Sequence, residues 1–265
     1  MDLVKQTIED LALIREKKPL IHNITNFVVM NHSANVLLSL GASPVMAHSL
    51  NEVEDMVAFA SALVLNIGTL EPKWIESMIK AGKKATCPII LDPVGSGATK
   101  YRTDSSKKIL NECKVSVLRG NASEVMSLMT TEKTTKGVDS VHSVDDTVDI
   151  AGEISKTYGG LVVAVSGVED LITNGSKSIR CSNGHPMMTL VTGLGCGLTA
   201  TVGAFCAVQK DYVIAAAEAH GFYGICGELA AKKANYPGSF ATEFIDALNY
   251  CSEKEIESML KLKEV

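Results

Sequence analysis

A chain of 265 residues with 46% hydrophobic side chains is long enough to bury a large core, and its 25 basic and 30 acidic residues leave a net charge of −5 with no block of one sign. That balance argues against a nucleic-acid groove or a polybasic membrane patch. Met1 is followed by Asp2, Lys5, Glu9 and Asp10, so no signal peptide is expected, and no apolar run reaches the roughly 18 residues of a membrane span, which predicts a cytoplasmic protein.

In chain order, β-branched runs predict strands at residues 20–25 (LIHNIT), 43–47 (SPVMA), 62–68 (ALVLNIG), 88–95 (PIILDPVG), 115–120 (VSVLRG) and 161–167 (LVVAVSG). Helical patterns lie between them, at 31–41, 50–60, 71–82, 103–113, 121–129 and 144–159. Asn51, Asp104 and Asn121 read as N-caps, and Gly41, Gly82 and Gly159 as helix stops. Runs such as residues 88–91 suit strands buried on both faces, so the pattern predicts an α/β layered domain with a mostly parallel sheet flanked by helices. Beyond Gly167, Asn-Gly turns predict a small antiparallel edge of two or three short strands, the last of them MMTLV at 187–191; from Gly197 onward the chain reads as mostly helical. No repeat, low-complexity tract or linker marks a boundary, so residues 1–265 are expected to form a single domain. Seven cysteines, odd in number and none at CxxC spacing, fit free thiols better than a disulfide framework or a zinc site.

Polar residues gather in the loops that follow these strands, where an open α/β sheet binds its ligands: HNITN (22–26), DPVGSG (92–97), RGNASE (119–124) and TGLGCG (192–197). Each has a second reading. Asp92 before Pro93 also suits a turn, Asn121 and Glu124 also form a capping box, His22 reads as a structural histidine, and Met187 and Met188 read as core or pocket wall. The glycine turn leads into an apolar helix, so its amides would face outward as an anion site. It is neither a Rossmann fingerprint, since Leu198 stands where the third glycine belongs, nor a P-loop, since GK[ST] is absent. Joined to exposed carboxylates at two strand ends, it reads as a phosphoryl-transfer site.

The segments PLIHNITNFVVMN, GASPVMAH, PIILDPVGSGAT, LRGNASE and VTGLGCGLTA, in this order, resemble the hydroxyethylthiazole kinase family, thiamine-salvage enzymes of the ribokinase-like superfamily. The resemblance runs from about Leu20 to about Ala207. It implies a ribokinase-like fold, a homotrimer with active sites at subunit interfaces, and ATP-dependent, Mg²⁺-assisted phosphorylation of 4-methyl-5-(2-hydroxyethyl)thiazole. Carried over by motif, substrate contacts fall on Met46, Gly193 and Asn23, nucleotide contacts on Arg119, Ser166 and Asn121, and the metal-side acidic pair on Asp92 and Glu124. The turn residues Gly193, Leu194 and Gly195 would hold the transferred phosphoryl group, and Cys196 occupies the place of the aspartate base of most ribokinase-like enzymes.

The family usually has threonine at Leu194 and at Ser166, so one hydroxyl is lost and the other kept. A helix start lowers a thiol's pKa and a triphosphate raises it, which leaves the ionisation of Cys196 open. Rival expectations are a kinase for a hydroxymethylpyrimidine or pyridoxal alcohol, a nucleotide-dependent hydrate dehydratase, and a nucleotide sensor without turnover. Cys196 in the aspartate's place argues against the dehydratase, and the HNITN and SPVMA segments favour thiazole.

Overall fold

The computed structural model describes residues 2–129 and 144–265. The first half of the chain alternates helix and strand: α1 (Leu3–Lys17), β1 (Leu20–Ile24), α2 (Met30–Leu40), β2 (Ser43–Val45), α3 (Val53–Phe59), β3 (Ala62–Asn66), α4 (Pro72–Lys84), β4 (Ile89–Asp92), α5 (Lys100–Glu112), β5 (Val117–Asn121) and α6 (Ala122–Met126). After α7 (Val144–Thr157) and β6 (Val162–Ser166) come β7 (Asp170–Thr173), β8 (Ser178–Cys181), a 3-10 turn at Pro186–Leu190, and the helices α8 (Leu194–Val208), α9 (Tyr212–Lys233), α10 (Pro237–Tyr250) and α11 (Glu253–Met259), with β9 (Leu262–Glu264) last.

Among the described residues nine strands form one sheet in the order β2-β1-β3-β4-β5-β6-β7-β8-β9. β2 through β6 run parallel, and β7, β8 and β9 add as an antiparallel edge. The chain reverses its direction of growth between β1 and β3, so a crevice opens beyond the carboxyl ends of these strands.

Strand periodicity sorts the core into two layers. Ala62, Val64, Ile90, Val117, Val162, Ala164 and Ile172 pack on one face with α1, α2, α8, α9 and α10. Leu63, Leu65, Ile89, Leu91, Leu118, Val163 and Leu171 pack on the other with α3 through α7. Because side chains alternate, Asn66, Asp92, Arg119, Ser166 and Asp170 all stand on the first face, toward α8 and α9.

The structure departs from the sequence reading at several elements. MMTLV is not a strand: Pro186 and the His185 side chain, which accepts from the Met187 amide at 3.2 Å, start a 3-10 turn. Gly82 does not end its helix. It lies inside α4 where a Cβ would stand 2.5 Å from Cys113 Sγ, so close packing explains the glycine. Asp104 lies within α5, whose cap is Thr99, and α3 starts at Glu52 with no side-chain cap rather than at Asn51. Gly41 does close α2, at φ +110°. α1 and β9 are elements the reading did not anticipate.

Candidate active site

α8 begins without a side-chain cap. Its N-cap is Gly193 at φ +89°, a conformation L side chains rarely adopt, and the first helical bond runs from Gly197 N to Gly193 O at 2.8 Å. The amides of Leu194, Gly195 and Cys196 therefore point out of the helix without a partner among the described residues, with the positive end of the helix dipole behind them. The turn also needs small residues: Cβ atoms at Gly195 and Gly197 would stand 3.1 Å from Arg119 Nη1 and 2.5 Å from Tyr223 Oη. Leu194 turns its side chain into the core and offers its carbonyl to Tyr223 Oη at 2.8 Å, so this position brings a backbone amide and no hydroxyl to the turn.

Facing this helix start, β3, β4, β5 and β6 each contribute one polar residue. Asp92 is only 1% exposed, contrary to the exposed strand-end carboxylate expected. Thr199 Oγ1 (2.7 Å) and Asn66 Nδ2 (2.9 Å) both donate to its Oδ2, and Arg119 Nη1 lies 4.0 Å from the same oxygen. Oδ1 accepts no hydrogen bond from the described residues. Burial pushes the carboxyl up to about 6, and the Arg119 charge and the Thr199 and Asn66 bonds resist that shift. Arg119 spans the site, donating from Nη1 to the Gly195 carbonyl (3.0 Å) and from Nη2 to Ser166 Oγ (2.7 Å).

Asn66 extends the network toward the thiol. Asn26 Nδ2 donates to Asn66 Oδ1 at 2.8 Å and lies 3.8 Å from Cys196 Sγ. Burial, and then the Asp92 charge, push the Cys196 thiol up to about 11 against the opposing Asn66, Arg119 and Asn26 contacts, so the thiol is neutral near pH 7. Asn26, Asn66 and Thr199 are site residues that sequence reasoning did not select.

Glu124 is the third residue of α6, and the capping box is present: its Oε2 accepts from Asn121 N (2.9 Å), and Asn121 Oδ1 accepts from Glu124 N (2.9 Å). Its Oε1 accepts from Gly95 N at 2.8 Å, which ties the DPVGSG loop to α6. Among the described residues no group of three or more His, Cys, Asp or Glu side chains is placed to hold a metal ion.

Asn23 and Met46 stand on the opposite flank. Asn23, on β1, donates from Nδ2 to Ile21 O at 2.9 Å and keeps a buried Oδ1 without a partner. Met46 follows edge strand β2, three strands from β4. The loop it sits on is held from behind, because His22 Nε2 meets the Ala47 carbonyl at 2.6 Å; burial holds this histidine's pKa down, and its buried Nδ1 has no partner among the described residues. Beside Gly193, His32 is half-buried with Nε2 unpartnered.

Away from this flank, a cleft of about 650 Å³ runs from Arg119 and Ser166 along the β6–β7 turn to Gly184, Met188 and Leu198. Its volume falls within the range of small-molecule and cofactor sites.

The fold and sequence have close counterparts. A hydroxyethylthiazole kinase from Pyrococcus horikoshii OT3 superposes with a TM-score of 0.90 at 42% identity, covering 98% of this chain and 99% of that one. A pyridoxal kinase from Staphylococcus aureus, solved with pyridoxal, shares the fold at a TM-score of 0.64 and 15% identity over 93% of this chain and 98% of that one. By sequence, the hydroxyethylthiazole kinase of Desulfotalea psychrophila is 54% identical over 97% of this chain and 94% of its own length, and that of Leptospira biflexa 49% over 98% of each. The profile of the Hydroxyethylthiazole kinase family matches residues 11–254. The chain belongs to the hydroxyethylthiazole kinase family, and its fold is that of the ribokinase-like kinases.

Proposed function

We infer that this chain transfers the terminal phosphoryl group of ATP to the hydroxyl of 4-methyl-5-(2-hydroxyethyl)thiazole, a step of thiamine salvage. The observation that carries the chemistry is the unpaired amide row of Leu194, Gly195 and Cys196, set against strand-end Asp92 and Arg119. Phosphoryl transfer needs positioning and charge stabilisation more than covalent help, and fixed amides beside a guanidinium supply both without reorganising.

The ATP-side residues are Arg119 and Ser166 on the large cleft, with Asn121 at the adjoining start of α6. Asp92, whose Oδ1 accepts no hydrogen bond from the described residues, fits a hard cation that takes oxygen ligands. Glu124, with both oxygens on backbone amides, fits only the outer, water-mediated position. Bound there, Mg²⁺ would neutralise charge on the phosphates. On the acceptor side, Gly193 packs against Val29 and His32, where a Cβ would stand 3.1 and 3.3 Å away, the Asn23 Oδ1, without a partner among the described residues, offers an acceptor, and Met46 offers an apolar wall. Cys196, neutral at rest, stands where a proton acceptor for the attacking hydroxyl belongs.

We assign the whole chain to one domain and the assembly to a homotrimer that completes the acceptor pocket across subunits. Phe27 and Val28, 59% and 69% exposed beside Asn26, support an apolar contact there.

The test is coupled ADP release over a panel of thiazole, hydroxymethylpyrimidine and pyridoxine alcohols. ADP release with the thiazole alcohol, and little with the others, is the expected result. Preferred turnover of a pyrimidine or pyridoxine alcohol overturns the acceptor assignment, and nucleotide binding without ADP release from any alcohol favours a sensor.

A further inference from the structure

The row of polar residues along the first face of the sheet does not stop at Ser166. Strand β7 returns antiparallel to β6 and places Asp170 on the same face, lining the large cleft, with its side chain 14% exposed. Its two oxygens have different duties. Oδ1 accepts from the Gly167 amide at 2.9 Å, closing the turn that leaves Ser166, and Oδ2 meets His220 Nδ1 at 2.7 Å.

His220 comes from the middle of α9 and is 1% exposed. A carboxylate can only accept, so His220 carries its proton on Nδ1 and donates it to Asp170; its Nε2 has no partner among the described residues. Burial pushes the Asp170 carboxyl up, but the histidine and the Gly167 amide hold it below the usual carboxylate range. The same turn is gripped from outside through Glu169, which accepts from Arg180 Nη1 (2.7 Å) and Ser182 Oγ (2.9 Å). Consecutive residues of alternating direction thus clamp one short turn, which leaves Val168 fully exposed at its tip on the cleft.

We propose that Asp170 and His220 form a positioning pair that fixes the turn at residues 166–168 in the shape that receives the nucleotide, and through Ser166 sets the orientation of Arg119. The pair touches neither the transferred phosphoryl group nor the acceptor. The inference rests on assigning the large cleft to the nucleotide. Ser166 Oγ is the acceptor for Arg119 Nη2, so a turn that drifts outward removes one of the two hydrogen bonds that aim the guanidinium. The loss falls on nucleotide binding, because Asn23, Met46 and Gly193 lie on the other flank.

The experiment measures the dissociation constant of a fluorescent ATP analogue together with kcat and both KM values, on variants whose circular dichroism and melting transition show a native fold. His220→Leu removes the donor without altering a cleft-lining side chain, His220→Asn restores a donor near the place of Nδ1, and Asp170→Asn leaves one acceptor oxygen where Gly167 N and His220 Nδ1 each need one. His220→Leu and Asp170→Asn should weaken ATP binding and raise its KM about tenfold, the scale of a lost hydrogen bond to a charged group, with the alcohol KM changed less than about twofold. His220→Asn should recover most of the affinity. Arg119→Ala is the control for the cleft. If Arg119→Ala weakens ATP binding while folded His220→Leu and Asp170→Asn bind like wild type, the positioning role is overturned and the cleft assignment stands. If Arg119→Ala also leaves binding unchanged, both fall. A fall in kcat with a comparable rise in both KM values reduces the pair to a structural element and overturns the proposal.

Discussion

Asp92 carries both its hydrogen bonds on one oxygen and has almost no contact with solvent. Its folded pKa of about 6 exceeds the ordinary 3.8, so its contribution to stability is full below pH 3.8 and lost as pH rises through about 6. Asparagine keeps an acceptor for Thr199 and Asn66 and removes that cost. Asp92→Asn should therefore melt at or above the wild-type temperature at pH 8 while turnover falls about 10²-fold to 10³-fold, the range for removing one group that stabilises transition-state charge. Melting curves and kcat on the same preparation check this; an unfolded or fully active variant contradicts it. For Cys196, a thiol pushed up to about 11 supplies little thiolate at neutral pH, so wild-type kcat should climb between pH 7 and 10. Cys196→Asp should flatten that climb and match or exceed wild type at pH 7.5, whereas Cys196→Ala should lower kcat by about 10²-fold, the low end of general-base contributions. An alanine variant as active as cysteine would reduce the thiol to packing. Asp92 and the glycine turn were legible because one ends a strand and the other opens a helix, whereas Arg119 and Ser166 came from the motifs of the family resemblance. Asn26, Asn66 and Thr199 were not, since they act through partners 40, 26 and 107 positions away, and only folding shows those pairings.

Among the elements, the six parallel strands and the glycine-led helix α8 follow from β-branched runs and an apolar stretch that call for burial. α1 gives a weak signal because two of its four buried residues, Thr7 and Asp10, are polar. β9 is three residues long and gains its structure from pairing with β8, a partner distant in sequence. α9 hides a different feature in an apolar background. Glu218 is fully buried, neither of its oxygens has a hydrogen-bond donor among the described residues, and it faces Asp10 of α1, whose Oδ2 accepts from Gln6 and Gln209. Burial, then the Asp10 charge, push its carboxyl up to about 10 from 4.5. Its stabilising contribution is complete below pH 4.5 and disappears as pH rises through about 10, because the folded state holds a proton the unfolded chain releases. Glu218→Gln should raise the melting temperature, with a gap over wild type that widens from pH 6 to pH 9. Parallel melting-temperature curves would show that Glu218 is ionised in the folded protein.

For the molecule as a whole, no helix among the described residues is long and apolar enough to cross a membrane. Exposed Phe27, Val28, Leu38 and Phe59 nevertheless leave apolar surface on the helices and loops around β1 and β3. If copies of the chain complete the acceptor pocket, dilution should lower specific activity and mass in light scattering together, and a fully active monomer would refute it. The link from Asn26 to Cys196 has a further consequence, since it joins positions 170 residues apart. Loop closure on that scale comes late in folding, after local helices and neighbouring strands have formed. During refolding from denaturant, helical signal should return before catalysis, and the regain of turnover should track the final docking of α8 onto the ends of β1, β3 and β4. Enzyme activity is then a clock for the last long-range step of folding, and a truncated nascent chain lacking α8 has no partial version of it.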